Sequence, residues 1–153
     1  MPVQRRVWLL PSALNGAVVV LHLAIILGGA TWYRFFGLAD ELVLLLEQGS
    51  WLPHLLLLGL ASTFAVWMCF ALSAAGVLRP FWMLRPVLTM VTLLYLVRGL
   101  AGLAAPLFYL HPAMAVEGIS YWIWSSLICV AAGLVHLNAL VDTWDVLAAP
   151  VQR

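Results

Sequence analysis

The apolar run from Val87 to Leu110, VLTMVTLLYLVRGLAGLAAPLFYL, holds a single charge, Arg98, near its middle. A guanidinium at the centre of a lipid-exposed helix costs about 2.5–3.5 kcal/mol on insertion scales, so it is expected to face the protein interior, a wet cavity or an anionic partner. Tyr95 stands three residues before Arg98 and Gly102 four after it, which puts them on one helical face. Gly99 and Gly102 remove side-chain bulk beside the charge. Arg98, Tyr95, Gly99 and Gly102 together read as a cationic pocket for the head group of a lipid, an isoprenoid phosphate or another amphipathic anion. The carboxylates that an outward-reaching Arg98 would pair with are Glu47 and Glu117, with His54 and His111 at the same boundary. Such a pair would brace the bundle, and it is compatible with binding.

A second constellation is His22 with His136, on the first and last apolar runs. Two inward imidazoles are the axial ligands of a b-type haem in many electron-transfer proteins. The plainer reading is a polar core in which each imidazole hydrogen-bonds a neighbouring helix. The expectation is therefore no haem and no structural metal, with bis-His haem kept as a third functional reading. The chain has no HExxH, CxxC, GxSxG or phosphate-binding glycine loop, which lowers an enzymatic reading without excluding it.

These residues must be held by membrane-spanning helices. The chain of 153 residues is 65% hydrophobic and 8% charged, against about 45–50% and about 25% in soluble domains. All seven basic residues are arginine, and a net charge of +1 spread over short segments gives no basic patch for nucleic acid. Cys69 and Cys129 fall inside apolar runs, so a disulfide framework is not expected. Although Arg5 and Arg6 give the start a basic edge, the apolar run that follows is longer than a signal peptide's core of about 7–15 residues, so it reads as a retained helix.

Four apolar spans, at about 12–31, 53–77, 87–109 and 120–141, are each close to the roughly 20 residues that cross the hydrocarbon. The fold class expected is all-α, one domain over 1–153: an antiparallel four-helix transmembrane bundle. LADELVLLLEQGSW, after Trp32, Tyr33 and Arg34, reads as a short interfacial helix in the first outer loop. Arg5, Arg6, Arg79, Arg85 and Arg153 fall on one side and Arg34 alone on the other, which places both termini in the cytoplasm. Asn15, His22 and Gly29 recur at steps of seven, as do Ser62, Cys69 and Gly76, and both stripes are expected to face other helices. Asp142 and Asp145 are expected to pair with Arg79 or Arg85. The strings GSWLP, ALSAAG and YLVRGLAGL resemble stretches of small bacterial inner-membrane proteins. That resemblance implies a location and supplies no activity.

The function read from these residues is binding or transport of a hydrophobic or anionic small molecule or lipid, with membrane lipid as the first partner and self-association expected. The alternative is an accessory subunit of a larger membrane complex, docking through the small-residue stripe of the second span and the surface helix.

Overall fold

The structure is a computed structural model that describes residues 3–79, 81–108 and 119–148, with side chains over 6–79, 81–106 and 122–147. A 3-10 turn, Val3–Trp8, runs directly into α1, Leu9–Phe35; then come α2, Asp40–Glu47, α3, Leu52–Ala74, α4, Leu84–Phe108, and α5, Ile119–Ala148. Every regular element among the described residues is helical. The four long helices contain windows of mean hydropathy 2.0, 2.2, 1.8 and 1.7, of which only 17% to 33% is buried inside the protein. Leu27 is 88% exposed and Val97 63%. Apolar surface on that scale is unfavourable in water and costs nothing in hydrocarbon, so the chain is read as an integral membrane protein.

The spans are framed differently from the sequence expectation. α1 begins three residues earlier than Ser12 because Pro11 sits in the first turn, where its missing N–H is no loss. It also continues through Trp32, Tyr33 and Arg34, which stay helical beyond the purely apolar stretch. At Gly29 the backbone turns to φ 63° and ψ −159°, a left-handed excursion open to glycine, and the last part of α1 changes direction there. Tyr33 is thereby buried against Ile25, Val43 and Leu57, tying the end of α1 to α2 and α3. Gly37, at φ 75°, then stops the helix, with the Leu38 N–H donating back to the Tyr33 carbonyl at 2.9 Å. Pro53 opens α3 as expected, while Pro106 is accommodated inside the last turn of α4.

The dominant packing pairs are α4 with α5 and α1 with α3. The core is stacked in three clusters. One gathers Trp8, Ala71, Ala74, Leu84, Leu88 and Leu140; a middle one holds Val91, Tyr95 and Ala132; the third is the Tyr33 cluster. The close helix approach lies between α4 and α5, where a Cβ on Gly99 would come within 2.6 Å of Val130 Cγ2 and one on Gly133 within 2.7 Å of Leu96 Cδ2. The expected seam on α3 differs: Gly59 has open space beside it, and the exposed Ser62 and Thr63 return their hydroxyls to the Leu58 and Gly59 carbonyls at 2.7 and 3.0 Å.

Ion pairing also departs from the sequence expectation. The one salt bridge among the described residues is Arg34 to Glu47, at 2.6 Å, joining α1 to α2. Arg85 instead lays its guanidinium over the Trp144 ring at 3.6 Å, and Asp142 accepts a long hydrogen bond, 3.4 Å, from Asn138. Asp142 and Asp145 stay exposed, so the carboxylates keep their water while the guanidinium gains the ring face, which avoids desolvating two charges.

Candidate functional site

Arg98 lies on the face of α4 that meets α5. Its Nη1 donates to Ser126 Oγ at 3.1 Å, its Nη2 reaches Ser125 Oγ at 3.5 Å, and its guanidinium carbon stands 4.9 Å from the centre of the Trp122 ring. Both serine hydroxyls are oriented to accept, because each donates its own proton to the Trp122 carbonyl, at 3.0 Å from Ser125 and 2.7 Å from Ser126. The Trp122 indole N–H in turn donates to the Gly102 carbonyl at 2.8 Å. A Cβ on Gly102 would collide with both the Ser126 hydroxyl and Arg98 Nη1. The absence of a side chain at Gly102 is thus what lets the guanidinium settle there.

The direction matters. A helical side chain leans by default toward the N-terminus of its helix, yet Arg98 reaches the other way, one turn along toward Gly102. That brings the charge up to Trp122, at the level of the aromatic residues that open α5. Arg98 nevertheless remains exposed, and no carboxylate among the described residues lies within ion-pair distance of it. Its hydroxyl and ring partners are neutral, so among the described residues the positive charge is hydrogen-bonded and uncompensated.

The residues singled out from sequence are only partly brought together. Gly99 and Gly102 do stand beside Arg98 in the α4–α5 seam. Tyr95 does not: three residues differ by about 60° around a helix, and that rotation carries Tyr95 to the opposite side of the seam, toward α1. Glu47 is taken by Arg34. Glu117 and His111 lie outside the described residues. His54 shares a 2.6 Å hydrogen bond with the Tyr33 hydroxyl, linking the start of α3 to the end of α1.

Tyr95 and His136 belong to an interior network that the sequence left unassembled. Tyr95 Oη donates to Asn15 Oδ1 at 2.9 Å, and Asn15 Nδ2 donates to the Pro11 carbonyl at 3.0 Å and to His136 Nε2 at 3.1 Å. His136 Nδ1 lies 2.8 Å from the Ala132 carbonyl, which can only accept, so the ring proton is on Nδ1 and the Nε2 lone pair faces Asn15. Asn15 and His136 are buried, and the Trp8 ring packs edge-on against His136 at 6.3 Å while its N–H donates to Thr143 at 2.9 Å. Every polar group of the set has its partner, which is what a buried network in a low-dielectric core requires. A haem iron at His136 would have to displace Asn15 from the same lone pair.

His22 is placed apart from this network. Its Nδ1 donates to the Val18 carbonyl at 2.7 Å, and its ring borders a cavity of about 250 Å³ lined by Ile25, Tyr33, Phe36, Leu38 and Leu57, beneath the kinked end of α1. The site residues missed in the sequence are Ser125, Ser126 and Trp122. The available signal was a serine pair directly behind the aromatic cluster that opens the last span.

Comparison of the chain with protein-family models, with curated proteins and with solved structures finds no match.

Proposed function

We propose that this chain is a membrane protein that binds the anionic head group of a lipid or other amphipathic molecule at Arg98. The observation that carries the reading is the arginine's charge: it is positioned by Ser125, Ser126, Trp122 and Gly102, exposed at the surface of the bundle, and without a carboxylate among the described residues. An arginine left so within the hydrocarbon would carry the insertion cost of about 2.5–3.5 kcal/mol unless an anion meets it. A phosphate or carboxylate at the level of Trp122 supplies that anion and takes the remaining donors of the guanidinium fork. The ligand's apolar part then lies along the exposed aliphatic surface of α4. In this reading the bundle is antiparallel, both termini are cytoplasmic, α2 lies in the outer interface, and the membrane is a bacterial inner membrane. Transport of the bound amphiphile is its extension, with self-association enclosing the volume that one copy lacks.

The test compares wild type with Arg98→Leu, each purified in mild detergent, by extraction of bound molecules and mass analysis. Wild type is expected to carry an anionic amphiphile, and the variant to keep its helical content while losing that molecule. A wild type holding only the bulk lipids, or a variant that retains the anion, overturns the reading.

The second reading, an accessory subunit, rests on α3. Gly59 faces open space, with Ser62 and Thr63 exposed beside it, as on a helix that a partner helix can approach closely. It predicts a co-purifying membrane protein that is lost in Gly59→Leu.

A further inference from the structure

We infer a second lipid site at the N-terminal end of α4, with Arg85 rather than Arg98 as its charge: a groove in which an anionic glycerophospholipid lays one acyl chain along the helix and sets its phosphate on Arg85. The groove is shallow and open, with a volume of about 740 Å³; it follows one face of α4 through Met90, Leu93, Leu94 and Val97, and Trp144 of α5 stands beside Arg85 at one end. From Arg85 to Val97 is 12 residues, roughly 18 Å at the helical rise of 1.5 Å per residue. One leaflet of hydrocarbon is about 15 Å deep. The groove therefore matches a single acyl chain that starts at a head group beside Arg85 and ends near the bilayer centre.

The charged end is built for an anion. Arg85 is held flat on Trp144 at 3.6 Å, which removes much of the freedom a phosphate contact would otherwise have to freeze out. Its Nε is buried and, alone among the buried side-chain nitrogens and oxygens of the described residues, has no hydrogen-bond partner, so an arriving phosphate is met by the two terminal nitrogens. Asp142 and Asp145 flank Trp144 in the chain, but neither comes within ion-pair distance of Arg85, so no carboxylate among the described residues takes the charge. Arg79, exposed just before α4, adds a second positive charge at the same end. On the topology proposed above this is the cytoplasmic leaflet, where juxtamembrane arginines meet anionic lipids. An apolar groove by itself would accept any acyl chain; the arginine at its mouth selects the head group.

The site is tested by location-specific crosslinking. The full chain is reconstituted in phosphatidylcholine vesicles with a trace of phosphatidylglycerol carrying a photoreactive group in one acyl chain, or with the matching photoreactive phosphatidylcholine. Crosslinks are then mapped to peptides. The expected result is about fivefold more crosslinking between residues 86 and 97 by the anionic probe, the preference that one basic residue confers near an anionic surface. Arg85→Gln should bring the two probes to parity, while Arg98→Leu should leave the preference in place, which separates this site from the one at Arg98. Leu94→Trp, which fills the groove without touching the charge, should lower crosslinking by both probes. Equal crosslinking in wild type overturns the inference, as does a preference that survives Arg85→Gln.

Discussion

Asn15 is the joint of the interior network, and its removal makes a sharp test of how the bundle is held. The side chain makes three hydrogen bonds across or along helices: it accepts from Tyr95 and donates to Pro11 and His136. Hydrogen bonds between membrane helices contribute about 0.6 kcal/mol each on average, and two of the three, to Tyr95 and His136, cross between helices, so Asn15→Ala should cost about 1 kcal/mol before any cavity is counted. Tyr95→Phe removes one of the three and should cost about 0.6 kcal/mol. If the Tyr95–Asn15 contact carries that difference, the double variant should be more stable than the sum of the two singles by about the same 0.6 kcal/mol. Equilibrium unfolding of the four proteins in mixed detergent micelles measures each value. Additive single effects, or an Asn15→Ala variant as stable as wild type, would refute the network as a structural element.

Gly99→Leu should destabilise the protein by about 1–3 kcal/mol through overpacking against Val130, a loss read in the same unfolding assay, whereas Gly59→Leu, with open space beside it, should leave monomer stability unchanged. Glu47→Gln should cost less than about 1 kcal/mol, because Arg34 and Glu47 are 51% and 43% exposed and their pairing is screened. Reporter fusions after Arg153 should give signal only with a cytoplasmic reporter; an exported reporter would defeat the proposed orientation.

Composition and span length made the helical membrane class legible from the sequence, because four runs of apolar residues at bilayer length have few other uses. Arg98 was legible as a suspect for the same reason, a charge where charge is expensive. The partners were not. Tyr95 and Arg98 differ by one turn less 60°, and which side of a neighbouring helix each falls on depends on how α5 is rotated, which no spacing within α4 encodes. Asn15 and His136 each stood out as polar groups in apolar spans, yet their meeting depends on how α1 and α5 are set beside each other. The Gly29 kink was invisible because a glycine inside an apolar helix is more often a packing site than a bend. The exchange of a carboxylate for Trp144 as the partner of Arg85 likewise followed from three-dimensional placement.

The central claim is that the Arg98 guanidinium meets an anion from outside the chain. Solid-state NMR dephasing between ¹⁵N-labelled arginine side chains and lipid ³¹P, in bilayers of defined anionic lipid, reads that contact directly, with Arg98→Leu identifying the signal. The expected result is dephasing at the Arg98 guanidinium consistent with a phosphate at hydrogen-bond distance, about 4 Å from nitrogen to phosphorus. An Arg98 signal that persists without dephasing, in protein whose helical content is intact, would contradict it.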